Sequence, residues 1–339
     1  MKSTDAVAMR LVTYNVEWFS SLFGADDTLL MDGGTSGRHG VDRDSQTRAL
    51  AEVFQRLDAD GIMVIEAPDT NNRRKTLRAL EHFAQEAGLR STKAVIGFAN
   101  DTQQEIAFLY DPKVLHVAHS PRESAAAPRF DGVFHIDLDV DAQKDAVRFS
   151  KPPLELTVTT NGGREISLIG AHLKSKAPHG ARSDDHAVTL SIANRRKQLA
   201  QAIWLRRRVE QLLAEGLDVV VMGDLNDGPG LDQYEQLFNR SSVEIAMESD
   251  LYDPNAQSLL QPRLRVMPSS ARFYDKANKR YFSALLDYIM VSSGLRQPAA
   301  NWRIWHPFED AACYEDVALR EALLAASDHF PVSLDLDLT

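Results

Sequence analysis

Residues 217–230 read LDVVVMGDLNDGPG, an apolar run that stops on a cluster of carboxylates and an amide. Val219, Val220, Val221 and Met222 are adjacent and apolar, and a continuous run of this kind needs cover on both faces. It predicts a strand inside a sheet that is itself packed on both sides. Gly223 breaks the run, Asp224, Leu225, Asn226 and Asp227 follow, and Gly228, Pro229 and Gly230 turn the chain away. Side chains alternate along a strand, so Asp224 and Asn226 share one side of a rigid strand end. Asp and Asn also serve as turn formers and helix caps, and the stretch alone leaves both readings open.

A chain of 339 residues, 44% of them hydrophobic, buries a large core. No Pro/Ser/Gly-rich linker divides it and no fixed-period repeat runs through it, which predicts a single domain over 1–339. Cys313 is the only cysteine, so there is no intramolecular disulfide, as suits a reducing compartment. The first residues carry no apolar signal core and no run is long enough to span a bilayer. We therefore expect a cytoplasmic protein without stable membrane association. The net charge of −10 argues against a general sink for nucleic acid. Divalent metal among carboxylates would offset that charge where a phosphate approaches.

Residues 10–16 alternate and are rich in β-formers, predicting a first strand with Asn15 and Glu17 on one side near its end. From 20 to 44 the chain is Gly- and Asp-rich and too long for an ordinary connection. That insertion is a substrate-facing flap or a disordered insert. Asp44 or Ser45 caps a helix with Leu50, Val53, Phe54 and Leu57 on one face. GIMVIE at 61–66 is the next buried strand, ending on Glu66, and a second helix closes at Gly88. EIAFLY at 105–110 is a further strand, and 154–160 with 165–171 form a hairpin about Asn161, Gly162 and Gly163.

The second strand of that hairpin runs into His172, Lys174 and Lys176, a His followed closely by two lysines, which argues for an anion nearby. His179, Arg182 and His186 follow in the same loop, and Arg195, Arg196 and Lys197 fall near the start of the next helix. On that helix Leu199, Ala202, Ile203, Val209, Leu212 and Leu213 make the apolar face, with Arg206, Arg207 and Arg208 on the solvated side. FSALLDYIMV at 282–291 is a strand with Asp287 in its middle. A carboxylate between apolar neighbours needs a partner. His329, just ahead of a last strand at 332–338, can supply one.

Asn15, Glu17, Glu66, His172, Asp224, Asn226, Asp287, Asp328 and His329 nearly all fall at or near predicted strand ends, where residues distant in sequence commonly meet at one rim. Oxygen donors without cysteine suit Mg²⁺ or Mn²⁺, and histidines beside carboxylates suit proton transfer. The set resembles the endonuclease/exonuclease/phosphatase superfamily, whose fold is shared by pancreatic-type DNases, abasic-site endonucleases, sphingomyelinases and inositol polyphosphate phosphatases; bacterial nuclease-like members are the most similar. The resemblance covers 13–334 through TYNVEWF, VIEAPD, GAHLKSK, GDLND, LDYIMV and SDHFPV, in the family's order.

The resemblance implies a DNase I-like α/β fold, a four-layer sandwich of two mostly antiparallel β-sheets flanked by helices. It implies that Glu66 is the principal metal ligand, with Asn15, Glu17 and Asp328 helping to bind or position the hydrated ion. His329 would be the general base oriented by Asp287, with Asp224 and Asn226 positioning water and phosphoryl oxygens and His172 on the phosphate. The family's usual Gln-Glu dipeptide is Ile65-Glu66 here, followed by Asp69, Asn71 and Asn72.

The resemblance implies a metal-dependent phosphoesterase, and the basic set after His172 favours a nuclease acting on DNA or RNA by in-line attack of water. The alternative is a phosphatase or phosphodiesterase for a small-molecule or lipid headgroup phosphate. A non-catalytic binding protein on the same fold has no need to keep buried carboxylates together. Trp302, Ile304, Trp305, Pro307 and Phe308 read as core packing.

Overall fold

Alternation decides where each residue of the VVVM run goes. In the computed structural model, Val219 and Val221 pack into one hydrophobic cluster and Val220 and Met222 into another on the opposite face of the same strand. The structure describes every residue except 1–8, 101, 103, 139–143, 179, 229–239, 261–266, 276–278 and 338–339. The expected turn at Pro229 and Gly230, His179 and the end of the last expected strand lie outside the described residues.

Strands and helices follow in the order β1 (Met9–Asn15), α1 (Arg43–Leu57), β2 (Gly61–Pro68), α2 (Thr76–Glu86), β3 (Lys93–Ile96), β4 (Gln104–Tyr110) and β5 (Leu115–His119). Next come β6 (Phe134–Ile136), β7 (Asp145–Val147), β8 (Leu154–Thr160), β9 (Glu165–His172), α3 (Asp184–Ala214) and β10 (Val219–Asp224). Then follow α4 (Ser242–Met247), β11 (Leu251–Tyr252), α5 (Pro254–Leu260), β12 (Ala271–Asp275), β13 (Arg280–Ala284) and β14 (Asp287–Ser292). The last elements are β15 (Asn301–Ile304), α6 (Ala311–Glu315), α7 (Val317–Ala326) and β16 (Val332–Leu336).

Two six-stranded sheets form, in the orders β15-β16-β1-β2-β4-β3 and β11-β14-β10-β9-β8-β5. Each holds one parallel pair, β1 with β2 and β9 with β10, and is otherwise antiparallel. One cluster fills the space between the sheets, with Leu11, Met63, Leu168 and Met222 among its members. A second joins the outer face of the first sheet to α1, α2 and α7, and a third joins the second sheet to α3 and α4. Three cores separate four layers, the expected DNase I-like sandwich. Each fully buried Val or Leu in these layers contributes about 1.5–3 kcal/mol.

The parallel pairs set the site. Asn15, Glu66, His172 and Asp224 stand at or near the C-terminal ends of β1, β2, β9 and β10, and Asp287 opens β14, which runs the other way. In register, Asp224 lies opposite His172 on one neighbour and Asp287 on the other. Gly223 makes this close approach possible. Its φ is +138°, and a Cβ there would sit 2.0 Å from the Ala171 carbonyl oxygen. Gly223→Ala is expected to lose about 3–5 kcal/mol of stability, read as a lower urea midpoint; an unchanged midpoint would mean the strands separate freely.

Several expectations are corrected. The first helix starts at Arg43, and its cap is Asp42, whose side chain accepts from the Ser45 amide. The strand expected over 282–291 is two strands, because β13 pairs with β12 in a separate hairpin whereas β14 pairs with β10. Asp287 therefore begins a strand rather than sitting in its middle. Helix α3 starts at Asp184 behind a Ser183 cap, which leaves Arg195, Arg196 and Lys197 about three turns inside it. Arg206 and Arg208 are not solvated: Arg208 is wholly buried and paired with Glu155, and Arg206 pairs with Glu210 and Asp250.

The 20–44 insertion has a defined path among the described residues. Phe19, Leu22 and Phe23 pack into the helix-side core, Asp32 pairs with Arg43, and the Gly37 amide donates to Ser21 Oγ at 2.9 Å. No helix among the described residues is long and apolar enough to cross a membrane.

Candidate active site

Asp224 is the hub. Its Oδ2 accepts from Asn15 Nδ2 at 3.0 Å and from Asn226 Nδ2 at 3.3 Å, and its Oδ1 accepts from the Asn226 backbone amide at 2.8 Å. Asn226 reaches back because it adopts a left-handed conformation, φ +52°, which Asn tolerates better than most residues. Two imidazoles approach the same oxygen: His172 Nε2 lies 3.7 Å and His329 Nε2 3.9 Å from Asp224 Oδ2.

His329 is fixed from behind. Its Nδ1 is 2.8 Å from Asp287 Oδ2, and that oxygen also accepts from Ser270 Oγ at 2.7 Å. Ser270 Oγ in turn accepts from the Leu286 and Asp287 amides, each at 3.0 Å. The 2.8 Å contact with Asp287 places a proton on His329 Nδ1 and turns Nε2 toward Asp224. The His329 amide donates to Ser327 Oγ, which donates to the Asn15 carbonyl, so the two termini of the motif series are tied together.

Burial is nearly complete here, and it sets the protonation balance. Burial pushes the Asp224 carboxyl up to about 7; His329 opposes it, and Asp287 adds a smaller push in the same direction as burial. For His329 burial opposes charge, but Asp287 and Asp224 outweigh it and hold the imidazole well above its usual range. His172 lacks such a partner; burial, then Lys151, drives it well below its usual range, and it is neutral.

Glu66 stands beside this group on a bulge between Ile65 and Ala67, with φ +63°. Its Oε2 accepts from the Trp18 amide at 3.1 Å and from Gln104 Nε2, whereas Oε1 accepts no hydrogen bond among the described residues. Gln104 on β4 thus supplies an amide next to Glu66 that Ile65, packed between the sheets, does not. Glu17 and Asp328 flank Arg38, whose Nη1 lies 3.0 Å from Glu17 Oε2 and 3.9 Å from Asp328 Oδ2. Burial first and Asp328 second push Glu17 up to about 7, with Arg38 opposing.

A cleft of about 900 Å³ is lined by Asn15, Glu17, Glu66, His172, Asp224, Asn226, Asp328 and His329, and Asp287 stands directly behind His329. All nine residues singled out in the sequence come together. Lys151, Phe273 and Phe282 line the same cleft and carried no motif signal. Ser270 and Gln104 were missed as well; neither is marked by periodicity. Of the basic set, Lys174 lines the cleft, Lys176 lines it while pairing with Asp227, and Arg196 pairs with Asp145 instead.

The donor set is all oxygen apart from the imidazoles, and the buried Asn15 Oδ1 has no hydrogen-bond partner among the described residues. An orphaned amide oxygen beside a half-free carboxylate fits a hard divalent cation. Asp224, Asp287 and His329 also offer atoms within 4.8 Å of one another, but His329 Nδ1 is already committed to Asp287.

A buried carboxylate–imidazole pair at the rim of a two-sheet sandwich, with an oxygen-rich donor set alongside, is the arrangement of a phosphate-ester hydrolase. The chain belongs to the Endonuclease/Exonuclease/phosphatase family, whose model matches residues 12–329. Members of this family hydrolyse phosphate esters and generally depend on a divalent metal. Among solved structures, truncated Caenorhabditis elegans TDP2 is similar at 14% identity and a TM-score of 0.50, covering 97% of this chain and 98% of that one. An endonuclease/exonuclease/phosphatase family protein from Bacteroides thetaiotaomicron is similar at 14% identity and a TM-score of 0.50, covering 98% of this chain and 96% of that one. Both likenesses are of fold. No curated protein matches the chain in sequence.

Proposed function

We propose that this chain is a cytoplasmic nuclease, a single domain that hydrolyses DNA or RNA phosphodiester bonds with Mg²⁺ or Mn²⁺. The observation that carries the polymer substrate is a pair of uncommitted cations beside aromatic rings. The Lys151 and Lys174 side chains both line the cleft and make no hydrogen bond or ion pair among the described residues, and Phe273 and Phe282 line it too. Burial holds the Lys151 ammonium below its usual range, with Glu66 and Asp224 opposing, so a phosphate there would complete its charge balance. A nucleic acid brings a neighbouring phosphate and a flat base with each scissile bond, which matches these groups.

In this reading His329 Nε2 takes a proton from water, Asp287 keeps the imidazole in the tautomer that leaves Nε2 open, and Ser270 fixes Asp287. Asp224 and Asn226 orient the water. The water oxygen bonds to phosphorus as the bond to the leaving oxygen breaks in line, with no covalent enzyme intermediate. Neutral His172 offers a hydrogen bond to a phosphoryl oxygen. Glu66 and Asn15 would hold the cation, and Glu17 and Asp328 would reach its water shell. Once bound, it supplies Lewis acidity and offsets the carboxylates that hold His329 charged.

The test compares an oligonucleotide with bis-p-nitrophenyl phosphate, which carries only the scissile phosphate. Lys151→Ala with Lys174→Ala is expected to lower kcat/KM on the oligonucleotide by about 10–100-fold and to leave the small diester nearly unchanged. Equal losses on both would move the lysines onto the scissile phosphate itself. Activity confined to inositol or sugar phosphates would replace the nuclease by a small-molecule phosphatase.

A further inference from the structure

One hydrogen bond does not aim an imidazole. The contact of His329 Nδ1 with Asp287 Oδ2 at 2.8 Å fixes one atom of the ring. A ring held at one atom can still swing about that bond and carry Nε2 out of line. A second contact closes that freedom: the Phe273 ring meets the His329 ring edge to face, with centroids 5.4 Å apart and planes 78° apart. His329 is buried, and Phe273 is half-buried in the wall of the cleft.

The backbone puts Phe273 there. Ala271 and His329 form an antiparallel bridge at the start of β12, the Arg272 amide donates to the Asp328 carbonyl at 2.7 Å, and the Phe330 amide donates to the Ser270 carbonyl at 2.6 Å. Residues opposite one another in such a ladder point to one face, as does the residue two further on, so Phe273 is the diagonal neighbour of His329. Arg272 points the other way, where its guanidinium lies 3.7 Å from the centre of the Tyr281 ring. Phe282, the partner of Phe273 across the hairpin, backs it at 5.2 Å. Ser270, which holds Asp287, directly precedes β12. One short segment thus carries a support for the carboxylate and a support for the imidazole.

We propose that Phe273 is a positioning residue for the general base: its ring holds the His329 imidazole so that Nε2 stays aimed into the cleft. The inference rests on His329 being that base. Asp287 supports the imidazole by a hydrogen bond, and Phe273 supports it by packing. A misplacement of about 1 Å at a reacting group costs on the order of 10²-fold in rate, so a side chain that moves no proton can still set kcat. Stacking on a substrate ring is the other role open to a phenyl group in this wall, and it would be felt whether or not His329 is present.

The test is hydrolysis of bis-p-nitrophenyl phosphate by the full chain with Mn²⁺. Phe273→Ala is expected to lower kcat about 10-fold with KM nearly unchanged. Phe273→Leu refills most of the space and is expected to recover part of the rate; it also serves should circular dichroism show that the Ala protein is unfolded. Added to His329→Ala, Phe273→Ala is expected to leave the residual rate as it is, because a residue that acts through the imidazole has nothing left to hold. An equal loss in both backgrounds would make Phe273 a substrate contact and overturn the inference, as would wild-type kcat in a folded Phe273→Ala protein. Nuclear magnetic resonance of labelled histidine gives a readout independent of turnover. The ring signals of His329 are expected to broaden in Phe273→Ala, and unchanged signals would also overturn the inference. A folded His329→Ala protein with wild-type kcat would instead remove the base assignment itself, and this inference with it, whatever the Phe273 variants show.

Discussion

Replacing His329 with alanine is expected to lower kcat by about 10²–10⁴-fold, the range lost with a positioned general base. The argument is geometric. His329 Nδ1 is held at 2.8 Å by Asp287, which leaves Nε2 the one imidazole nitrogen free toward the cleft, 3.9 Å from Asp224. His172 cannot substitute, because burial keeps it well below its usual range and its buried Nδ1 has no hydrogen-bond partner among the described residues to orient it. Asp287→Asn should approach the same loss, since an amide that donates to Nδ1 reverses the tautomer. Folding should survive, because Ser270 still donates to the residue at 287 and the strand pairing of β14 is a backbone feature. Single-turnover rates with unchanged circular dichroism are the readout. A folded His329→Ala protein with wild-type kcat would remove His329 from the base role.

A stability effect as large as that of Gly223→Ala is expected at Arg208. Its guanidinium pairs with Glu155, donates to the Ala127 and Pro128 carbonyls at 2.8 and 3.1 Å and lies over the Phe130 ring at 5.2 Å, with no exposed surface. Arg208→Ala leaves a buried carboxylate and two carbonyls without this donor, a loss of about 3–5 kcal/mol, or on the order of 10 °C in Tm. Glu155→Leu with Arg208→Met removes both charges and should recover most of it. The loss depends on pH. Burial already lifts Glu155 to about 7, above its ordinary 4.5, although Arg208 pulls it down. A raised carboxyl contributes stability that is present below 4.5 and lost as pH rises through about 7. Without Arg208 it rises further, so the deficit of Arg208→Ala should be small near pH 5 and widen toward pH 8. A deficit that does not change with pH would mean that Glu155 does not titrate with folding.

The contrast between these two residues shows what a sequence discloses. His329 was legible because it closes a series of polar residues at the ends of apolar runs, and a strand end is a position that alternation and turn residues define locally. The VVVM run announced cover on both faces, which the layered sandwich supplies. Arg208 was misread because three consecutive arginines on a helix look like a solvated side. Helix α3 instead buries Gln198, Gln201, Arg206 and Arg208 along with its apolar residues, so its polar pattern does not mark solvent. Arg38 reaches the site from the insertion, Gln104 from the start of β4, and Lys151 and Ser270 from loops. Each is defined by contacts with residues far away in sequence, and no local spacing encodes them. The helix start at Asp184 is a milder case: Ser183 with Asp184 and Asp185 is a readable cap, hidden by the basic residues around it.

The most direct test of the central proposal, a metal-dependent nuclease, is hydrolysis of closed circular DNA, linear DNA and single-stranded RNA by the purified chain with Mg²⁺ or Mn²⁺ and after EDTA. Cleavage of at least one polymer that stops with EDTA and returns when the metal is restored is the expected result, and cutting of the circle would identify endonuclease action. Polymer cleavage that continues undiminished in EDTA, or no cleavage of any polymer beside metal-dependent release of phosphate from inositol phosphates, would contradict it.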